Sequence, residues 1–590
     1  MGEQRGVPAR ARLAALLRRR RDALVADRWV AAWSLLLALL LLGPSLAPGY
    51  VLSYDMVWVP DLSLRPDFLG VGSALPRAVP SDAVVSVLDE VLPGWMLQKV
   101  VLLGAVVGGG WGTATLLRGA PLVARLVAVG VYQWSPFLAE RLVLGHWPVL
   151  LGYAVLPWIV LLTARWREEG RLPLALGPLL LVGSLSATTG IATGFAVLVG
   201  VAGRRTTRNV QALALVAAAN APWLVSGLLH AASGTSDPAG ARVFALAGEG
   251  TQPAPLTALT LGGVWNAEVV PASRDTFLVW VGLAFVLVLG ALGVREARRL
   301  LPGRTLLTLV LLWTAGLLLA LWSWALPDTV AVIAEHVPGG GLLRDGSRLL
   351  ALCAPLLACL VGLGAGRVAA VEGLAEARGM VAGGLVLLPL LLMPDAAWGA
   401  GGRLAAVDYP DSYAEARALL VSEASPRGDV LLLPLSSYRR PSWNGERKVL
   451  DPTGRYLPRD FVTSDELVVS QRALAGEDPR VAAVAGALAA DDPAERAAGL
   501  VDEGIGVVAI DTDHPVDVPE VEGEVLLDSP ELTLVGLAGA DPPVPSRGWV
   551  VAMVLAWVAF LLVPVGASGA RALGALGRRV RRGEHGPELR

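Results

Sequence analysis

Along most of this chain the apolar residues run unbroken instead of alternating with polar ones, in segments of about 20 residues, the length that crosses a bilayer as an α-helix. Such runs occupy 29–46, 96–117, 120–139, 147–165, 172–203, 208–231, 276–294, 305–326, 347–366, 380–395 and 549–570. The run 172–203 is too long for one ordinary span and short for two, and its middle reads Ser184-Leu-Ser-Ala-Thr-Thr-Gly190. Two short helices joined by a Ser/Thr/Gly turn are expected there, a break that is tolerated in the membrane only where protein or a wet cavity surrounds it. The stretch 396–547 departs from the pattern. Helix-like segments at 412–424, 479–490 and 493–503 alternate in it with short apolar strands at 430–435, 507–511, 525–527 and 532–537, which predicts a small α/β domain.

Composition agrees with a membrane location. Of 590 residues, 54% are hydrophobic and 17% charged, against roughly 25% charged in soluble domains, and the mean hydropathy is +0.57. A water-soluble enzyme is excluded. The net charge of -2 offers no basic field for nucleic acid, but the placement of the charges is informative. Residues 1–28 form a basic arm, and Arg165, Arg167 and Arg171, then Arg204, Arg205 and Arg208, then Arg295 to Arg304, then the tail 571–590 are basic connections. Under the positive-inside rule all of them are cytoplasmic, which about twelve spans with both termini inside would satisfy. The outer segments are then the loops 47–95, 140–147, 232–275 and 327–346 and the domain 396–547, which is followed by a last span at 548–570. The cytoplasmic connections are too short for an active site, so any chemistry is expected on the outer face. The Arg-, Ala- and Gly-rich usage resembles that of a high-GC bacterium, which makes the plasma membrane the expected location. Cys353 and Cys359 both lie in one apolar run and offer neither a disulfide framework nor a metal site.

The first outer loop is acidic and places Tyr54-Asp55 just beyond the first span. A carboxylate at the membrane surface can serve as general base towards a hydroxyl; it can equally cap a turn. Pro80-Ser81-Asp82 marks a helix start. Further on, Glu140-Arg141 and Gly145-His146-Trp147 reach the outer surface, with Tyr153 and Pro157-Trp158 along the next helix. Arg141 and His146 suit phosphate oxygens and proton traffic, while Trp147 and Trp158 would either stack on a sugar ring or anchor the interface. Arg344 and Arg348 stand four apart at an expected helix start, where both would share one face beside free backbone N–H groups, the best anion site in the chain; an Arg–Asp cap is the plainer reading. In the α/β domain, Tyr438, Arg439 and Trp443 follow a strand and are carbohydrate-friendly side chains, although a solvated loop also accounts for them. No Walker loop, strand-linked GxGxxG or HExxH occurs, and few polar residues interrupt the spans beyond Gln133, Asn220 and the turn at 184–190, which argues against a transporter.

Together, Tyr54-Asp55, the segment from Gly145-His146-Trp147 to Pro157-Trp158, and Arg344-Asp345-Gly-Ser-Arg348 resemble the GT-C fold glycosyltransferases, in particular the actinobacterial arabinofuranosyltransferase- and mannosyltransferase-like proteins of the cell envelope. The resemblance implies an α-helical polytopic membrane protein with a small α/β extracytoplasmic domain that moves sugar from a polyprenyl-phosphate carrier to an envelope glycan acceptor. It makes Asp55 the general base and Arg344, Arg348, His146 and Arg141 the donor-phosphate ligands, and it leaves Trp147, Tyr153, Arg439 and Trp443 for the sugars. The loop lacks the paired Asp-x-Asp that coordinates a metal in some relatives, so no metal or other cofactor is assigned. A non-catalytic protein that moves or presents lipid-linked glycans, or a scaffold for another envelope enzyme, is the alternative.

Overall fold

The computed structural model describes residues 9–469, 472–514 and 517–583. The first eight residues of the basic arm and residues 584–590 of the basic tail lie outside the described residues. The protein is a helical membrane protein carrying a small strand-containing domain. Among the described residues, eight helices are long and apolar enough to cross a membrane: Arg21–Leu46, Gly94–Leu116, Leu122–Val143, Trp147–Glu169, Thr206–Leu229, Leu278–Leu300, Gly303–Ala325 and Arg547–Gly566. Two bent pairs, Gly346–Leu352 with Ala354–Ala369 and Arg378–Leu392 with Pro394–Gly401, raise the number to ten if each is one span.

This is fewer than the twelve expected, and the run 172–203 supplies the reason. It folds as Leu176–Gly183 and Ala187–Val201, of 8 and 15 residues. At 1.5 Å per residue these are about 12 and 22 Å long, short of the roughly 30 Å hydrocarbon core. At the break between them the Ser184 hydroxyl donates to the Leu181 carbonyl at 2.9 Å and the Thr189 hydroxyl to that of Ser186 at 3.2 Å.

Helix Ala354–Ala369 is the centre of the membrane part, packed between Leu278–Leu300 and Leu122–Gln133. Small residues let these backbones meet, as is usual where lipid supplies no hydrophobic drive between helices. A Cβ on Gly364 would stand 1.9 Å from the Leu289 carbonyl oxygen, and one on Gly293 1.9 Å from that of Leu360.

The α/β domain is built on a five-stranded sheet with spatial order Glu524–Asp528, Leu532–Gly536, Ile505–Asp511, Asp429–Leu433, Phe461–Val462. The last three strands are parallel and the first two antiparallel additions. Leu431 and Leu433 pack beneath Pro479–Leu488 and Pro493–Asp502, while Val430 and Leu432 pack beneath Asp411–Val421. Covering both faces explains why the central strand reads as continuously apolar.

This domain is stitched to the loop 47–95. Tyr50–Val51 pairs with Ala406–Val407, and Tyr54 bridges to Val449 in the hairpin Tyr438–Arg439/Val449–Leu450. The acidity of the loop serves this docking: Asp61 meets Arg417 at 2.6 Å and Asp82 meets Arg455 at 2.8 Å. The buried Arg65 donates to the Gly454 carbonyl at 2.9 Å and lies 4.2 Å over Phe68 and 5.2 Å over Phe461.

The glycine contact at the centre of the bundle gives a test. Gly364→Ala forces two helices apart and is expected to cost about 1–3 kcal/mol, as overpacking does, read as a lower melting temperature in detergent. Gly384→Ala, at a position with open space around it, leaves melting unchanged.

Candidate active site

Asp55 sits at the tip of a tight turn. The Ser53 N–H donates to the Met56 carbonyl at 3.2 Å and the Met56 N–H to that of Ser53 at 2.8 Å, leaving Tyr54 and Asp55 as the two corner residues. Tyr54 accordingly takes a positive φ of 45°, an arrangement that costs free energy and persists only where the surroundings over-determine it. Here they do. Gln98 clamps both backbone groups of Val51 at 2.9 and 2.8 Å, and Tyr54 exchanges backbone hydrogen bonds of 2.8 Å with Lys448 and Leu450.

The tip presses into the joint between helices Pro136–Val143 and Trp147–Glu169. The Asp55 N–H donates to the Leu144 carbonyl at 3.0 Å and the Ser53 hydroxyl to that of Val143 at 2.7 Å. Gly145 makes the fit possible: its φ is +77°, and a Cβ there would stand 2.1 Å from the Met56 nitrogen. The adjacent His146 thereby brings Nε2 to 3.1 Å from one Asp55 oxygen. Its Nδ1 lies 3.5 Å from the Arg141 guanidinium. A guanidinium can only donate, so the network assigns Nδ1 as acceptor and Nε2 as the proton carrier facing Asp55.

Arg141 is fully buried and holds both oxygens of Asp345, at 3.0 and 3.2 Å, and also the Ser347 hydroxyl. Arg348 reaches Asp345 from the other side at 3.1 Å, yet 30% of its side chain stays exposed. Asp345 is buried, which by itself would raise its carboxyl, but Arg141 and Arg348 hold it far below the usual carboxylate range. On the other side of Asp55 the Tyr438 hydroxyl donates to its second oxygen at 2.5 Å. Lys448 lies over the rings of Tyr438 and Tyr54 at 5.4 and 5.6 Å and stands 3.9 Å from Glu268, which accepts from the Tyr54 hydroxyl at 2.6 Å.

Two directions fix the protonation states. Burial would raise Asp55, but the His146 and Tyr438 hydrogen bonds and the charge of Arg348 bring it below the ordinary value. Burial lowers His146, Asp55 opposes this, and the charges of Arg348 and Arg141 reinforce it, with a net downward shift. Near neutral pH Asp55 is therefore ionised and His146 neutral. The carboxylate remains accessible, with 41% of its side chain exposed, so it can still accept a proton from a molecule entering the recess.

The residues singled out in the sequence divide into those gathered here and those used elsewhere. Asp55, His146, Arg141 and Arg348 come together, but Arg141 is consumed by Asp345 and Ser347. Arg344 turns away, donating to Glu477 at 3.2 Å and lying 5.4 Å over Phe244. The shared face expected of Arg344 and Arg348 is lost because no continuous α-helix forms: Asp345, at φ -94° and ψ 77°, separates the two, and Gly346–Leu352 is a 3₁₀ turn. Trp147 packs on Trp58 at 5.1 Å, and Tyr153 is buried between Tyr132 and Phe137 with its hydroxyl donating to the Tyr132 carbonyl at 2.8 Å. Arg439 is buried between Asp451 at 3.0 Å and Asp511 at 3.3 Å, and Trp443 packs tilted against Tyr409 and edge-on against Tyr413. These four side chains are occupied by packing and ion pairing. Lys448, Glu268 and Ser347 are the members that sequence reasoning missed, and Tyr438, offered there only as a carbohydrate-friendly side chain, is instead a donor to Asp55. Among the described residues no group of three or more His, Cys, Asp or Glu side chains is placed to hold a metal ion.

An almost wholly apolar hollow of about 170 Å³ is lined by Ile191, Phe195, Leu319, Leu343, Leu349 and Leu352; Leu343 precedes Arg344 in the chain and Leu349 follows Arg348.

No protein-family model and no curated protein matches the sequence. Among solved structures the chain is similar to arabinofuranosyltransferase AftD from Mycobacteria, at 17% identity over 88% of this chain and 40% of that one, with a TM-score of 0.54. A mutant form of the same enzyme gives 18% identity, 88% and 42% coverage and a TM-score of 0.52. The archaeal oligosaccharyltransferase AglB from Archaeoglobus fulgidus overlaps more loosely, with a TM-score of 0.34 at 12% identity over 84% of this chain and 70% of that one. The chain thus spans about two-fifths of the length of AftD, and its membrane fold is GT-C-like.

The buried pair at the base of the site should dominate its stability. Asp345→Ala strands Arg141 without a counter-charge and is expected to cost about 3–5 kcal/mol, seen as early melting. Arg348→Gln, at a partly exposed position, shifts melting far less.

Proposed function

We propose that this protein is a membrane glycosyltransferase that transfers a sugar from a polyprenyl-phosphate donor to a cell-envelope glycan acceptor at the outer face of a bacterial plasma membrane, both termini being cytoplasmic. The observation that carries the reading is a single one: an ionised, accessible carboxylate, Asp55, stands in the field of the partly exposed Arg348 guanidinium, and the residue after Arg348, Leu349, lines an apolar hollow. That combination suits a ligand that is anionic at one end and a hydrocarbon at the other. The GT-C-like fold supports the same reading.

In the proposed reaction Asp55 takes the proton of an acceptor hydroxyl as its oxygen bonds to the anomeric carbon. The bond from that carbon to the phosphate oxygen breaks, and the electron pair leaves with the polyprenyl phosphate, whose charge Arg348 offsets. Attack opposite the leaving group inverts the anomeric centre. Neutral His146 orients the carboxylate through its Nε2–H, and Arg141 with Asp345 orients His146.

The test is incubation of the purified protein with a panel of polyprenyl-phosphate sugars, following release of the carrier. Asp55→Asn is expected to lower transfer by about 10²–10⁴-fold, the usual worth of a positioned base, with melting unchanged, and Arg348→Gln to raise the KM for donor. Because Asp55 must be ionised and lies below its ordinary value of about 3.9, transfer should persist as the pH falls to about 4 and fail only below that. No release of carrier from any donor by monodisperse protein would remove the enzyme reading in favour of a protein that presents lipid-linked glycans.

A further inference from the structure

We propose that Tyr438 is a positioning residue for Asp55, and that the α/β domain, through the hairpin 438–450, is thereby part of the catalytic machinery and not a separate binding module. The inference rests on the reading of Asp55 as the base.

The two carboxylate oxygens have separate donors from separate parts of the protein. The membrane part supplies His146 at 3.1 Å and the outer domain supplies Tyr438 at 2.5 Å. A carboxylate held at one oxygen can still swing about its side-chain bonds; one held at both cannot. Each oxygen keeps acceptor capacity beyond its one donor, so an incoming hydroxyl finds a free site in a fixed direction. Charged hydrogen bonds of this length are the strong ones.

Tyr438 is itself fixed with unusual thoroughness. It pairs with Leu450 across the hairpin, and the other edge of Val449–Leu450 takes the backbone of Tyr54. The base and its tyrosine are therefore spaced by β-pairing, which sets distances more tightly than a loop contact does. The neighbouring Arg439 nails the hairpin to the end of strand Ile505–Asp511 through Asp511 and to Asp451, and the hydroxyl of Ser442 donates to Asp513 at 2.5 Å. Arg439, offered by the sequence as a sugar ligand, acts here as the anchor of the hairpin.

The phenol is suited to permanent donation, because burial and the adjacent Asp55 push its ionisation well above the ordinary tyrosine value. The titratable and charged groups around Asp55 are His146, Tyr438 and Arg348, with Arg141 and Asp345 behind them and Tyr54, Lys448 and Glu268 at the mouth. Replacing Tyr438 by Phe keeps the ring under Lys448 and removes only the donor. The charged form of Asp55 then loses a stabilising bond, so its titration must move to higher pH.

The experiment follows the infrared carboxylate band that vanishes in Asp55→Asn, titrated in the full-length protein, alongside the acidic limb of carrier release from the polyprenyl-phosphate sugar panel. In Tyr438→Phe both are expected to rise by about one pH unit, the worth of one hydrogen bond to a charged group, and transfer at neutral pH to fall roughly tenfold. Placing 3-fluorotyrosine at 438, a stronger donor in the same shape, should move both the other way, which a general disturbance of folding would not do. An unshifted titration in a protein that turns over donor, or faster transfer by Tyr438→Phe, overturns the role of Tyr438 alone. A shifted titration in a protein that turns over no donor upholds the contact and overturns Asp55 as a base.

Discussion

The site is organised around one buried guanidinium. A buried cation left without a partner is costly, and Asp345 meets Arg141 with both oxygens. That pairing locks the end of one helix to the turn that opens the bent span Gly346–Leu352/Ala354–Ala369. Two consequences follow from it. Arg141 faces His146 and fixes its tautomer, while Asp345, already neutralised, fixes Arg348 without discharging it. A cation remains available in the recess because a second cation has taken the larger share of the anion between them.

The outer domain works on the same principle of crossed dependence. Its sheet is self-sufficient, with helices on both faces, yet its hairpin is completed by the backbone of the first outer loop. The left-handed conformation of Tyr54 in the loop is in turn held by hydrogen bonds from outside its turn, with Gln98 clamping Val51 and Lys448 and Leu450 pairing with the Tyr54 backbone. Neither part forms the carboxylate environment by itself.

Much of this was legible in the sequence wherever one local pattern decides the outcome. The strand and helix positions of the α/β domain follow from short continuous apolar runs and helical patterning, since both faces of its central strands are covered. Asp55 and Gly145-His146 could be named because a loop carboxylate past a span and a glycine at a helix joint are local signals. Arg344 and Arg348 could not be paired correctly, because a single non-helical residue, Asp345, changes which way each points. Trp147, Tyr153, Arg439 and Trp443 were drawn towards sugars by residue type alone, and residue type does not distinguish an aromatic that meets ligand from one that meets another aromatic. Tyr438 was invisible as a partner of Asp55, since the contact spans 383 positions and depends on strand pairing between two parts of the chain.

That separation bears on biosynthesis. Asp55 is laid down within the loop 47–95, His146 and Arg348 follow from later helices, and Tyr438 emerges only after every described candidate span but Arg547–Gly566 has been made. A ribosome-bound chain therefore carries an unfinished recess while those spans are being made. Its carboxylate gains its second fixed oxygen only when the α/β domain folds and its hairpin adds to the waiting strand, so the setting of Asp55 is completed later than the helices around it.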